Sequence, residues 1–198
     1  MMEQRVNINQ QIAARVRELR DAHRLSLEAL ASRSGVSRSM ISLVERGESS
    51  PTAVILDKLA VGLGVTLGAL FNAPTTAEEP QRSPVSRRRD QTEWRDPDSG
   101  YVRRNVSPPG KLQPIQIVEA HFPPGARVAF ETSTRSNRVH QQIWLLEGSM
   151  DITVGKERHR LDKGDCLAME LDQPIRYHNR TKKSARYAVI IADARSIR

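Results

Sequence analysis

Residues 25–65 read LSLEALASRSGVSRSMISLVERGESSPTAVILDKLAVGLGV. Ser26 precedes an apolar face of Leu27, Leu30 and Ala31, so it is placed to N-cap a helix running through Ser34. Gly35 ends that helix and Val36 plugs the corner. Ser37 then caps a second short helix, Arg38 to Arg46, whose inner face is Ile41 and Val44 at i, i+3, with Gly47 as its stop signal. Pro51 precedes another helix, from about Thr52 to Leu63, with Leu56, Leu59 and Leu63 inward. Upstream, Ile12, Val16 and Leu19 recur at i, i+4, i+7 and mark a helix from Ile8 to His23. Downstream, Leu67 to Phe71 completes a set of five.

Two short helices joined by Gly35-Val36-Ser37 make a helix-turn-helix shape, which many helical bundles contain. The residues are more specific than the shape. Leu30-Ala31, Gly35-Val36-Ser37, Ile41-Ser42, Glu45-Arg46-Gly47 and Pro51-Thr52 resemble the Xre/λ-repressor-like family of bacterial DNA-binding domains over residues 8–71. With Ile41 and Val44 buried, the opposite face of the helix presents Arg38, Ser39, Ser42 and Leu43. The resemblance implies that this face enters the major groove of double-stranded operator DNA. Arg38 is suited to bidentate pairing with a guanine, with phosphate contact as its rival role. Ser39 and Ser42 suit base edges, against plain solvation of a helix surface, and Leu43 suits a thymine methyl. Ser26, Ser37 and Arg46 are candidate phosphate contacts. One position departs from the family: Leu27 stands where many members carry a DNA-touching Gln. Glu45 and Arg46 form a candidate ion pair shaping the turn.

The whole chain has 198 residues, with 31 Lys+Arg against 23 Asp+Glu and a formal net charge of +8. That length allows one large or two small domains. Aromatic content is 4%, too low for rows of base-stacking aromatics. One cysteine, Cys166, excludes an intramolecular disulfide framework and a multi-cysteine zinc site. Its expected role is a small buried hydrophobe, because no cation pattern marks it as a low-pKa thiolate. The longest apolar stretch, Leu59 to Phe71, is too short to span a bilayer, and MMEQRVNINQ has no apolar leader region. A cytoplasmic protein is therefore the expectation.

Composition divides the chain into a helical domain (1–72), a Pro-, Ser- and Arg-rich flexible linker (73–99) and an all-β domain (100–198). The last region alternates short apolar runs with turns at Glu147-Gly148, Gly155-Lys156 and Lys163-Gly164-Asp165. With Pro124-Gly125, IWLLEGSMDITVG, LDKGDCLAM and IRYHN, it resembles a cupin, a jelly-roll β-barrel. The expected architecture is thus a multidomain α plus β chain, a five-helix reader followed by a cupin sensor.

Metal-binding cupins place a Glu seven residues before the glycine that here is Gly148, which gives Gln141. Their final His lies eleven after the glycine that here is Gly164, which gives Ile175. The two remaining His positions fall on Ser136 or Asn137 and on Thr134 or Arg135. None of these types completes a ligand set, so no metal and no cofactor is expected. His140 and His178 lie at odd offsets from the ligand positions and so face the other side of their strands. His121 and His159 have no partner at ligand spacing. By the same parity the inner wall comprises Gln141, Ile143, Leu145, Ile175 and Tyr177, which suits a small effector better than proton transfer. Arg127, Arg135, Arg138 and Arg176 lie near the motifs. Of these, Arg127 is taken as the residue reaching an acidic effector.

These features point to an effector-responsive, homodimeric transcriptional regulator without catalytic residues. The alternatives are a cupin enzyme with a helical targeting domain and a helical domain that contacts protein. Of the basic excess, residues 1–72 carry nine Lys+Arg against seven acids, whereas residues 100–198 carry seventeen against ten. The charge sits in the sensor, so it is no warrant for the DNA reader. It raises two options: an acidic effector, or an auxiliary hold on DNA.

Overall fold

A computed structural model describes residues 8–72, 83–108, 115–131 and 139–193. The chain divides into two units, Met1–Arg82 and Ser83–Arg198.

Among the described residues the first unit has four α-helices: α1 (Ile8–Ala22), α2 (Leu27–Ser34), α3 (Arg38–Glu45) and α4 (Ala53–Gly62). Side-chain oxygens cap three of them. Ser26 accepts from the Ala29 amide, Ser37 from Met40 and Thr52 from Ile55. Each satisfies an amide that has no partner inside its helix. Gly35 ends α2 in the left-handed region (φ 66°), and its N–H returns to the Ala31 carbonyl. The fifth expected helix, Leu67–Phe71, is a 3₁₀ turn instead. Its ladder closes at i+3 (Ala69 N–H to Thr66 O, 3.0 Å), and five residues are too few for a regular α-helix. Ile12, Val16, Leu30, Ile41, Leu56, Leu59 and Leu70 are fully excluded from solvent and form the core.

Among the described residues the second unit has ten strands: β1 (Glu93–Arg95), β2 (Val102–Asn105), β3 (Ile115–Phe122), β4 (Arg127–Phe130), β5 (Val139–Glu147), β6 (Ser149–Val154), β7 (Glu157–Asp162), β8 (Cys166–Glu170), β9 (Ile175–His178) and β10 (Ala185–Asp193). They pair antiparallel into two sheets, β1-β2-β3-β10-β5-β8 and β4-β9-β6-β7. Among the described residues no ladder joins the two, so the expected barrel is two sheets and not a closed ring. Inner-face side chains hold them together. Tyr177 of the smaller sheet stacks on Tyr187 of the larger (centroids 6.1 Å, interplanar 9°) and lies 6.4 Å from Phe122. Along β5, Val139, Gln141, Ile143 and Leu145 are buried while His140, Gln142 and Trp144 are exposed, the period-2 alternation of a half-covered strand.

Two expectations change here. The stretch read as one linker, 73–99, contains β1, which pairs with β2, and Trp94 is buried against Tyr101. A single buried tryptophan outweighs the polar composition around it. Residues 73–82 lie outside the described residues. Cys166 is exposed and not buried, because it starts the edge strand β8 on the outer side of the sheet, opposite Trp144.

Candidate functional site

The turn Gly35-Val36-Ser37 sets α3 against α2, with Val36 buried as the plug. Ile41 and Val44 face the core, and Arg38 and Ser39 project into solvent, while Ser42 and Leu43 are half-exposed. Ser37 Oγ lies 3.2 Å from Ser39 Oγ. Ser26 and Ser37 accept through their oxygens as caps, and each hydroxyl keeps a proton to donate. Arg38 is 3.1 Å from Glu28 of α2, with both side chains about two-thirds exposed. An exposed pair of this kind is worth at most about 1 kcal/mol, so Glu28 aims Arg38 without holding it back. The Glu28 partnership was not anticipated. Arg46 donates to Ser42 Oγ and to Glu48 Oε2 (2.8 Å).

The expected Glu45–Arg46 pair does not form. Glu45 instead receives a fork from Arg20 of α1 (Nε to Oε1 2.7 Å, Nη2 to Oε2 2.9 Å), and both side chains are nearly buried. Adjacent residues on a helix point about 100° apart. Glu45 therefore faces α1 while Arg46 faces outward.

In the β unit Gln141, Ile143, Leu145, Ile175 and Tyr177 are all buried. The Gln141 amide donates to the Tyr177 hydroxyl across the two sheets, at 2.9 Å.

A helix-turn-helix family model matches residues 16–70, and a cupin domain model matches residues 118–191. The HTH-type transcriptional regulator SutR of Escherichia coli (strain K12) is 24% identical over 190 residues, 96% of this chain and 99% of the relative. The regulator PuuR of the same organism is 26% identical over 166 residues, 83% of this chain and 85% of the relative. A crystal structure of an HTH_3 family transcriptional regulator from Vibrio cholerae superposes with a TM-score of 0.71 at 30% identity, covering 93% of this chain and 96% of that one. The chain belongs to the helix-turn-helix transcriptional regulators with a cupin domain.

In this regulator the two described ligand positions of the cupin motif hold Gln141 and Ile175. Gln141 is engaged with Tyr177, Ile175 has no donor atom, and the positions 134–137 lie outside the described residues. Among the described residues no three His, Cys, Asp or Glu side chains come together. His140 and His178 do face outward, as parity indicated. His140 lies 3.8 Å from Glu170 on the outer side of the larger sheet.

Arg127 is the correction. It is exposed, and it sits in register with His178, whose neighbour Tyr177 points inward. Arg127 therefore lies on the outside of the smaller sheet, away from the inner wall. Among the described residues the arginine on the inner side is Arg103 on β2, which the motif reading did not reach, while the equally buried Arg104 lies on the other side against Glu119. Arg103 pairs with Trp94 and Ala120 in the ladder and is 5% exposed. Burial pushes the Tyr101 phenol up, and Arg103 beside it pulls it partly back. Burial likewise holds the Tyr187 phenol well above its ordinary value. The signal available in the sequence was the parity of Val102-Arg103-Arg104-Asn105. Parity alternates the two arginines without saying which one is inside. Arg135 and Arg138 lie outside the described residues. No helix among the described residues is long and apolar enough to cross a membrane.

Proposed function

We propose that this regulator binds operator DNA as a homodimer through the outer face of α3, and that its cupin unit binds a small acidic effector between the sheets. The observation that carries the first part is a helix capped at its start by Ser37, seated by Ile41 and Val44, and presenting Arg38, Ser39, Ser42 and Leu43 outward. Arg38 reads guanine, the two serines read base edges and Leu43 meets a thymine methyl. Ser26, Ser37 and Arg46 hold phosphates. The test is to recover genomic fragments bound by the full chain and titrate the tightest against Arg38→Ala. A bidentate base contact is worth about 1–3 kcal/mol, so affinity should fall roughly 10- to 100-fold. Unchanged affinity would remove Arg38 from the interface.

For the effector, the inner wall offers Gln141 and Tyr177 as polar groups among Ile143, Leu145 and Ile175. Arg103 takes the cationic role first given to Arg127. The genes beside the bound fragments nominate acids for thermal-shift screening. The effector acts only to the extent that it binds the DNA-competent and incompetent states differently.

The homodimer is supported by the outer side of the six-stranded sheet. Ile115, Ile117 and Trp144 are 49%, 40% and 50% exposed. The register sets Ile117 beside Ile190, and Ala188 beside Trp144. Four strands of this length present about 500 Å² in flat projection. Side-chain relief brings that toward the ~800 Å² per partner of a stable interface. Trp144→Asp is expected to convert the dimer to monomer by light scattering; a dimer that survives this change would move the interface elsewhere.

A further inference from the structure

The two outer sheet faces treat charge differently. On the larger sheet the basic side chains lie beside carboxylates. Arg104 meets Glu119 at 2.6 Å, Arg186 meets Glu147, and His121 meets Glu119 at 2.9 Å. On the outer face of the smaller sheet, arginines outnumber carboxylates among the described residues. The register there runs Arg127, His178, Asp151, Arg160 in one row and Ala129, Arg176, Thr153, Arg158 in the next. Arg180 joins from the turn after β9, 2.9 Å from Asp151. All five arginines are exposed. The Asp151 side chain is 8% exposed, covered by Arg158 and Arg180. Asp162 meets Arg160 at the edge, at 3.8 Å, and Glu131 follows the end of β4.

His178 sits inside this group. Arg127 Nε lies 3.0 Å from one ring nitrogen and Arg180 Nε 3.1 Å from the other. A neutral imidazole accepts at one nitrogen only, and an imidazolium at neither. The pKa of the ring is lowered first by partial burial and then by Arg127 and Arg180, against the opposing pull of Asp151.

Strands lie about 4.8 Å apart, and same-face neighbours on one strand lie about 6.7 Å apart. The arginine field is therefore roughly 14 Å wide and two rows deep. Its one apolar side chain in these rows is Ala129, and the rows hold no Phe, Tyr or Trp. Such a face offers nothing to an apolar partner and no platform for stacked bases. Guanidinium forks match phosphate geometry.

We propose that the outer face of the four-stranded sheet is a second DNA-contact surface, which holds the phosphate backbone of duplex DNA without reading sequence. The proposal rests on the reading of the chain as a DNA-binding regulator. It explains why the basic excess lies in the cupin unit and not in the helical one.

The test uses full-length protein and a mixed-sequence 40-base-pair duplex (~50 to 200 mM salt). Three proteins are compared: wild type, the triple change Arg127→Gln, Arg160→Gln, Arg176→Gln, and the same three positions changed to Lys. Each lost phosphate contact lowers the slope of log K against log salt by about 0.9. The Gln triple should therefore lose roughly 2 to 3 of slope and bind at least tenfold more weakly at ~100 mM salt, whereas the Lys triple keeps the slope. Tryptophan fluorescence reports whether the cupin unit remains folded, since Trp94 and Trp144 both lie in it. A folded Gln triple with wild-type slope and affinity overturns the proposal. So does loss of polyglutamate binding with DNA binding unchanged, which would mark an acidic protein partner. Arg38→Ala separates the two readings. If it spares the recovered genomic fragments while the Gln triple weakens them, Arg38 leaves the α3 interface and this proposal stands; the converse removes this proposal alone.

Discussion

Glu45→Ala destabilises the helical unit by about 3 kcal/mol. The carboxylate takes a two-pronged hydrogen bond from Arg20, and the side-chain exposures are 14% for the arginine and 8% for the glutamate. Forked pairs of this geometry are among the stronger charge-assisted hydrogen bonds. Removing one partner leaves the other charge desolvated, which costs more than the pair itself contributes. Asp21 lies 2.7 Å from Arg20 and the Leu25 carbonyl accepts from it at 2.9 Å, so the loss falls at the lower end of the range for buried pairs. The pair joins α1 to α3, so it also sets the angle at which α3 is presented. The two units can be followed separately in the intact chain. Both tryptophans and all three tyrosines lie in the β unit, so tryptophan fluorescence is blind to the helices. Denaturant unfolding by circular dichroism at 222 nm should show the helical transition moved to lower denaturant, with the fluorescence transition unmoved. A shift worth less than about 1 kcal/mol would reduce this pair to an ordinary surface contact.

Gly148→Ala acts on the other unit. Gly148 joins β5 to β6 at φ 78°, and a Cβ there would lie 2.8 Å from the Ser184 carbonyl and 3.1 Å from the Ala185 Cα. A left-handed conformation alone costs a non-glycine residue roughly 1–2 kcal/mol. The close atoms are backbone atoms of the turn into β10, which pairs with both β3 and β5. They cannot swing aside as a flexible side chain would. The expected loss is about 2–4 kcal/mol, read as an earlier fluorescence transition with the 222 nm helical transition unchanged. Equal stability of Gly148→Ala and wild type would mean that this turn relaxes freely.

The helical unit was readable because its determinants are local. Each N-cap lies within three residues of the amide it satisfies, and the core residues recur at i, i+3 and i+4. Along β5, strand parity needs only adjacent residues, and the cupin resemblance chose which set faces inward. Other features depend on partners far apart in the chain. Arg20 and Glu45 are 25 residues apart, and nothing between them announces that α1 crosses α3 at that point. Composition also misread residues 83–99, because Trp94 is buried by strands that follow it.

The sequence by itself determined the two-part architecture and the outward face of α3 from short-range periodicity, and the cupin resemblance together with parity placed the apolar wall around Gln141. Only the tertiary structure decided that Arg103 is inside and Arg127 outside, that Cys166 is exposed on an edge strand, and that five arginines share one face. Parity states that neighbours alternate but not which set faces the core. The sheet order β4-β9-β6-β7 is set by long-range pairing, which brings Arg127 against His178, 51 residues later in the chain.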